Sequence, residues 1–292
     1  MMVVAKLKYL KALLVSILCF QLGGCIPLFS AKEIMNSRFP AEHFFFNERA
    51  EMGQAIYQND LSKVKRLIAQ GVNVNTQPAN NQGFTYLMYA VFLKDRFEIT
   101  KYLLENGADP NQISVVDFPE YKSKYVNIAN QAGQDVYLPL SLASSNRKID
   151  YIKLLLKYGA KANRDLNKDS YYKQFGGNKG LPLFAAVDAV YNEKGWSRED
   201  WMNDIKKRID LLISYGADIN EPNYLGLSLV DESSTNLEIT EYLMNKGATP
   251  KLYGEKLAKK LPKLLIKGRG DYNKRLELLK RLEKMGYRYK EE

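Results

Sequence analysis

A chain of 292 residues with one histidine, His43, and two cysteines, Cys19 and Cys25, has few routes to covalent chemistry. Any Ser–His or Cys–His nucleophile pair would have to recruit His43. Gly226-Leu227-Ser228-Leu229-Val230 begins like the sharp elbow that exposes a catalytic serine, but it lacks the second glycine. Ser228 is therefore expected to be structural. A zinc site needs more His and Cys than the chain supplies. Gly176-Gly177-Asn178-Lys179-Gly180 lacks the spacing of a phosphate loop and follows no strand pattern, so it reads as a flexible connection. Asp165, Asn167 and Asp169 match the first half of a calcium loop. The match then fails, with Ser170 in place of the glycine and Gly176 in place of the bidentate glutamate. The expectation is a binding protein with no catalytic residue, no metal, no cofactor and no small-molecule substrate.

The chemistry that remains is that of aromatic contact. Phe118, Tyr121 and Tyr125 form one cluster, Tyr171, Tyr172 and Phe175 a second, and Trp196 and Trp201 a third. Tyr and Trp are favoured interface anchors, presenting large area with little rotamer freedom to lose. The alternative is that these rings pack their own loops onto the body of the protein. Which elements carry the clusters decides how the two readings compare.

Those elements repeat. The phrase Leu103-Leu104-Glu105-Asn106-Gly107-Ala108-Asp109-Pro110-Asn111 returns as Leu155-Leu156-Lys157-Tyr158-Gly159-Ala160-Lys161-Ala162-Asn163 and as Leu212-Ile213-Ser214-Tyr215-Gly216-Ala217-Asp218-Ile219-Asn220. Weaker copies lie at 67–75 and 243–250. Each is an apolar helix end followed by Gly, which suits the left-handed residue that commonly closes a helix. Upstream lie Thr85-Tyr86-Leu87-Met88-Tyr89-Ala90, Leu138-Pro139-Leu140-Ser141-Leu142-Ala143, Leu181-Pro182-Leu183-Phe184-Ala185-Ala186 and Leu225-Gly226-Leu227-Ser228-Leu229-Val230. Between the phrases run helical apolar stripes such as Ile149, Ile152, Leu155 and Leu156. One such pair of helices cannot bury its own apolar face, so neighbours must stack.

These two phrases resemble the ankyrin repeat, with its Thr-Pro-Leu-His-x-Ala helix start and Gly-Ala-Asp-x-Asn exit. No copy keeps the His, and the Thr survives only at Thr85. The resemblance covers roughly residues 47–251. It implies an all-α solenoid of about five to six helix pairs whose connecting loops form hairpin fingers along one edge of a concave surface. From the second residue of the first phrase to the exit Gly the counts are 21 (86 to 107), 20 (139 to 159), 34 (182 to 216) and 21 (226 to 247). The third of these units carries about 13 extra residues, fitted by Asn192–Asp204, and Ser197 with Asp200 predicts a capping box there. Against a period of ~33 residues, the loops near Gln112–Val136 and Arg164–Gly180 are enlarged by about 20 and 11 residues. All three aromatic clusters fall in these insertions, which are commonly placed on the binding face.

The N-terminus reads separately. Lys6, Lys8 and Lys11 precede an apolar run, Ala12–Leu22, that is short for a bilayer span. Leu22-Gly23-Gly24-Cys25 resembles the lipobox of bacterial lipoproteins, which implies acylation of Cys25 and removal of 1–24. Several acyl chains would anchor the protein firmly, at about 0.8 kcal/mol per buried methylene. The domain organisation expected is a signal peptide at 1–24, a tether and lead at 25–46, repeats at 47–251, and a diverged basic cap repeat at 252–292. Residues 251–292 hold 14 Lys/Arg against 6 Asp/Glu, so the formal charge of +10 is concentrated there and in the leader. The export signal argues against nucleic acid as a partner.

A lipid-anchored ankyrin array with aromatic fingers resembles the immunity lipoproteins that bacteria hold against type VI secretion effectors. That resemblance implies a protein partner, a secreted toxin such as a phospholipase, neutralised in the periplasm by a protein on the outer membrane. A periplasmic scaffold that organises an envelope complex is the alternative.

Overall fold

A computed structural model describes residues 39–77, 83–117, 134–163, 181–189, 194–223, 226–233, 236–251 and 272–287. The chain divides into two units, Met1–Pro40 and Ala41–Glu292, and every element below belongs to the second. Cys25 lies outside the described residues.

Two 3-10 turns, Ala41–His43 and Asn47–Arg49, lead into a run of helix pairs. The pairs are α1 (Ala50–Gln58) with α2 (Leu61–Ala69), α3 (Tyr86–Phe92) with α4 (Phe97–Glu105), α5 (Pro139–Asn146) with α6 (Ile149–Lys157), α7 (Pro182–Val187) with α8 (Arg198–Ser214), and α9 (Leu229–Glu232) with α10 (Leu237–Asn245). A last helix, α11, spans Tyr272–Lys284. A two-stranded antiparallel sheet, β1 (Ser114–Asp117) and β2 (Gln134–Tyr137), rises between α4 and α5.

The exit phrase has a single physical meaning at every copy. At the end of α4 the Gly107 amide donates to the Leu104 carbonyl at 3.1 Å and the Ala108 amide to the Leu103 carbonyl at 3.0 Å. This closure needs a left-handed residue, and Gly107 supplies φ of +83°. The same two bonds recur at Gly71/Val72, Gly159/Ala160, Gly216/Ala217, Gly247/Ala248 and Gly286/Tyr287. The last of these shows that α11 ends as the second helices of the earlier pairs do.

The asparagine that ends the phrase joins each turn to the next. The Asn75 side chain donates to the Gly107 carbonyl at 2.8 Å and accepts from the Asp109 amide at 2.8 Å. Asn111 repeats this on Gly159 (2.9 Å) and Lys161 (2.8 Å). Asn163 accepts from the Asp218 amide at 3.3 Å, and Asn220 bridges Gly247 and Thr249. Asp109 and Asp218 hold the turn in shape by accepting the amides of Asn111 and Asn220 at 2.8 Å. Asn75, Asn111 and Asn220 thus each satisfy one carbonyl and one N–H of the neighbouring turn, a net gain of about 1 kcal/mol per bond.

Arginines tie the pairs together deeper in the molecule. Arg96, just before α4, donates through Nε to the Ile56 carbonyl at 2.7 Å and also to the Tyr57 carbonyl, closing the C-terminal end of α1. Arg147, just before α6, does the same to Val91 (2.6 Å) and Phe92 at the end of α3. Arg208, inside α8, reaches the Ala143 and Ser144 carbonyls near the end of α5, both at 3.2 Å. A cation at a helix C-terminus meets both the orphan carbonyls and the negative end of the dipole. Arg208 is fully buried, and Asp204 balances its charge at 2.5 Å one turn earlier on the same helix.

The first helices start in three ways. Thr85 caps α3 by accepting the Met88 amide at 3.0 Å. Pro139 and Pro182 occupy the first turns of α5 and α7, where a missing N–H costs nothing. The fourth copy of the first phrase departs from expectation. Gly226 sits at φ +76°, and the helix begins only at Leu229, with Ser228 as its cap. The chain there lacks the proline that presets the helical φ, and the Ser228–Asp231 capping box three residues on takes over the role.

Aromatic packing seals the N-terminal end. Phe45 stacks on Tyr86 (5.6 Å between centroids) and on Tyr89 (4.8 Å), while Phe44 meets Phe84 at 5.0 Å. Phe45 also lies against Gly53 of α1, where an added Cβ would come within 2.4 Å of the ring. A ring touching both α1 and α3 lies over the groove between them. The far side of that groove is filled by α2 and α4, so Phe45 covers the face that the first helices would otherwise leave open. Arg49 completes the plug, its guanidinium over the rings of Phe45 and Tyr86 (4.8 and 5.3 Å) and donating to the Phe84 carbonyl.

Candidate functional site

Two insertions set this array apart from a plain stack of helix pairs. The first is the β1–β2 hairpin, in the register Ser114↔Tyr137, Val115↔Val136, Val116↔Asp135 and Asp117↔Gln134. It falls where the spacing predicted an enlarged loop. Its base is fastened by the buried Ser114 hydroxyl, which accepts the Thr85 amide at 3.0 Å. Phe118, Tyr121 and Tyr125, between β1 and β2 in sequence, lie outside the described residues, as do Tyr171, Tyr172 and Phe175 in the second enlarged loop.

The second insertion is helical. α8 is 17 residues long, whereas α2, α4, α6 and α10 have nine each. The eight added residues extend its N-terminal end by about 12 Å at 1.5 Å per residue. The predicted capping box is present: Ser197 accepts the Asp200 amide at 3.1 Å and Asp200 accepts the Ser197 amide at 2.9 Å. Those bonds to Ser197 hold the Asp200 carboxyl below its ordinary value. The sequence located the insertion at Asn192–Asp204 and the helix start at its Ser197–Asp200 box, and the structure has the helix running from Arg198 through the rest of it.

The two tryptophans sit at the foot of this extension, half-buried. The Trp201 indole N–H donates to the Ala189 carbonyl at 3.0 Å, fastening the start of α8 to the residue just past α7. Asn236 donates to the Met202 sulfur at 3.7 Å, tying the same turn to the next pair. Lys206 and Arg198 both meet Glu238, at 2.8 and 3.7 Å, and Lys246 meets Asp210 at 2.7 Å. The extension is therefore rigidly placed, and Trp196 rides on the turn that enters it.

The residues first considered for chemistry are accounted for differently. The buried Ser228 hydroxyl bonds the Asp231 carboxylate at 2.9 Å and accepts the Asp231 amide at 3.2 Å, which is a helix cap. His43 is exposed beside Phe44, ring centroids 6.3 Å apart. The half calcium loop and the glycine-rich stretch lie outside the described residues. Among the described residues no group of His, Cys, Asp or Glu is placed to hold a metal, and no helix is long and apolar enough to cross a membrane.

The arginine contacts were not foreseen. Their signal was available at two positions, since Arg96 and Arg147 stand 11 and 12 residues before their exit glycines. Arg208 stands only eight before Gly216, and the lengthened α8 hides the equivalence.

A family model described as ankyrin repeats, in three copies, matches residues 7–114. An ankyrin repeat protein of Acanthamoeba polyphaga mimivirus is 35% identical over 107 residues, covering 35% of this chain and 15% of its own length. A second from the same virus is 28% identical over 218 residues, covering 71% of this chain and 26% of its own length. The chain thus spans about a quarter or less of the length of the curated relatives it matches. Among solved structures, a predatory endopeptidase of Bdellovibrio bacteriovorus in complex with an immunity protein is similar at 22% identity and a TM-score of 0.44, over 68% of this chain and 80% of that one. The helix pairs have the form of an all-α ankyrin-type solenoid. Beyond residue 114 the exit turn recurs at Gly159, Gly216, Gly247 and Gly286, and the asparagine bridge continues as far as Thr249.

Proposed function

We propose that this ankyrin repeat chain works by binding another protein, through the edge built from the β1–β2 finger, the loop at 164–180 and the N-terminal extension of α8. The observation that carries the reading is α8 itself. Eight residues are added to a second helix, capped at Ser197 and pinned by Trp201 to Ala189, so that the extension stands in one fixed orientation. Packing between repeats does not require it, since the nine-residue second helices of the neighbouring pairs stack without one. Preorganised surfaces lose less entropy on association. The partner contacts assigned are Phe118, Tyr121, Tyr125, Tyr171, Tyr172, Phe175 and Trp196, with Trp201 as the residue that also positions the edge.

The finer reading is that the chain is an envelope lipoprotein, acylated at Cys25 after removal of 1–24 and facing the periplasm from the outer membrane. There it neutralises a delivered toxin, such as a type VI phospholipase effector, by covering its active site or its membrane-docking face. The Leu22-Gly23-Gly24-Cys25 sequence and the repeat array support it. The test is retention of partners by the chain from lysate of its own organism, washed at high salt and identified by mass spectrometry. One stoichiometric secreted protein, lost on Trp196→Ala, is the result expected. A scatter of resident envelope proteins would replace this reading with a scaffold.

A further inference from the structure

The exit turns form a second surface, at the C-terminal ends of the second helices. Because each asparagine bridges one turn to the next, the residues just before the exit glycines stand in a row, one per repeat. In the first two pairs these are Gln70 and Asn106, with Glu105 and Asp109 exposed beside them. From the third pair on, the chemistry changes. The position is held by the half-exposed Tyr158, then by Tyr215, 52% exposed, and in the last repeat by Met285, 42% exposed. Tyr215 and Met285 are two of the three large apolar residues left exposed among the described residues. Neither fills a gap in the core, and both occupy the same place in the repeat.

Lysines stand along the same turns. Lys157 and Lys161 lie exposed on either side of Tyr158, Lys246 holds the position in the fifth pair and meets Asp210, and Lys284 precedes Met285. The Lys157 ammonium sits over the Tyr158 ring at 5.7 Å. Against these four lysines the turns carry two exposed acids among the described residues, Asp218 and Glu283. Amphipathic rings and a flexible thioether interleaved with long cationic side chains suit the boundary between water and lipid, where apolar bodies sink and charged heads stay wet. The charge also runs in the matching direction, toward the C-terminal 42 residues with their 14 Lys/Arg.

We propose that the exit edge of the third to sixth repeats docks on an anionic phospholipid surface. Docking lays the array on the membrane along this edge. It does not depend on the acyl anchor or on the identity of any protein partner.

The test is hydrogen exchange of the full chain on vesicles of phosphatidylcholine alone and of phosphatidylcholine with phosphatidylglycerol. Any insertion of the N-terminal apolar run is common to both. Slower exchange across 156–161, 213–218 and 282–287 on the anionic vesicles only, relieved by high salt, is expected. Tyr215→Ser with Lys161→Glu should weaken partition to anionic vesicles by about fivefold or more, since each lysine near such a surface is worth about that factor. Both side chains are exposed, so melting of the variant should be unchanged. Equal exchange on both vesicles would overturn the proposal. So would protection of the same three turns by polyglutamate as strong as that by lipid, which would assign the edge to an acidic protein.

Discussion

Arg147 reaches across to the repeat before its own and donates to the carbonyl of Phe92, the last residue of α3. The same guanidinium also takes the Val91 carbonyl. Two orphan helix-end acceptors are thereby satisfied by one planar donor, a match a lysine cannot reproduce. Arg147→Met is expected to lower stability by about 2–3 kcal/mol, the range for hydrogen bonds to a charged group left unmade. Arg147→Lys should recover part of that loss. Urea unfolding followed by circular dichroism checks the order, and an Arg147→Met protein as stable as the parent would refute the capping role.

Gly53 tests the plug. In a helix interior, Gly→Ala ordinarily stabilises by about 0.5–1 kcal/mol. Here the new methyl would come within 2.4 Å of Phe45 Cγ and 2.7 Å of its Cβ, closer than any real contact. Gly53→Ala should therefore destabilise, with Phe44 and Phe45 displaced. Adding Phe45→Ala should return part of the loss, so that the two substitutions couple by about 1 kcal/mol or more. Additive effects in that cycle would mean the ring does not seat on Gly53.

The two tryptophans separate positioning from contact. Trp201→Phe keeps an aromatic ring but removes the donor to Ala189 and part of the indole's area, so a loss of about 1 kcal/mol or more is expected in thermal or chemical unfolding. Trp196→Ala should leave unfolding nearly unchanged and lower partner affinity at least about tenfold, as for an interface anchor. The reverse pattern, with Trp196 governing stability and not binding, would remove Trp196 from the proposed contact edge.

The start of α8 should loosen in acid. The Ser197 bonds hold the folded Asp200 carboxyl below its ordinary value, so its contribution is complete above that value. It is lost as the pH falls through the lower, folded value. Tryptophan fluorescence, which reports Trp201 in the next position, should change below about pH 4 in the parent. In Ser197→Ala that change should shrink, because the carboxyl then titrates nearer its unfolded value.

The sequence by itself determined the repeat. The glycine and asparagine of the exit phrase are dictated locally, by a backbone angle only glycine adopts easily and by a side chain that reaches the adjacent turn, so both recur visibly. The Ser197–Asp200 box was legible for the same reason, being a contact three residues long. The positions of the insertions followed from counting between fixed phrases. Tertiary structure alone decided what the insertions became and what binds the repeats across their depth. The Ser197–Asp200 box marks where the helix of Asn192–Asp204 starts, but what holds that helix, α10 and Ala189, is decided only by tertiary contact. Phe44 and Phe45 carry no repeat signal, and only the Gly53 notch shows where Phe45 seats. The arginines cap helices from 40 to 65 residues away in sequence. Long-range contacts of that kind leave no local period, because what fixes them is the stacking distance between repeats rather than the spacing of residues along the chain.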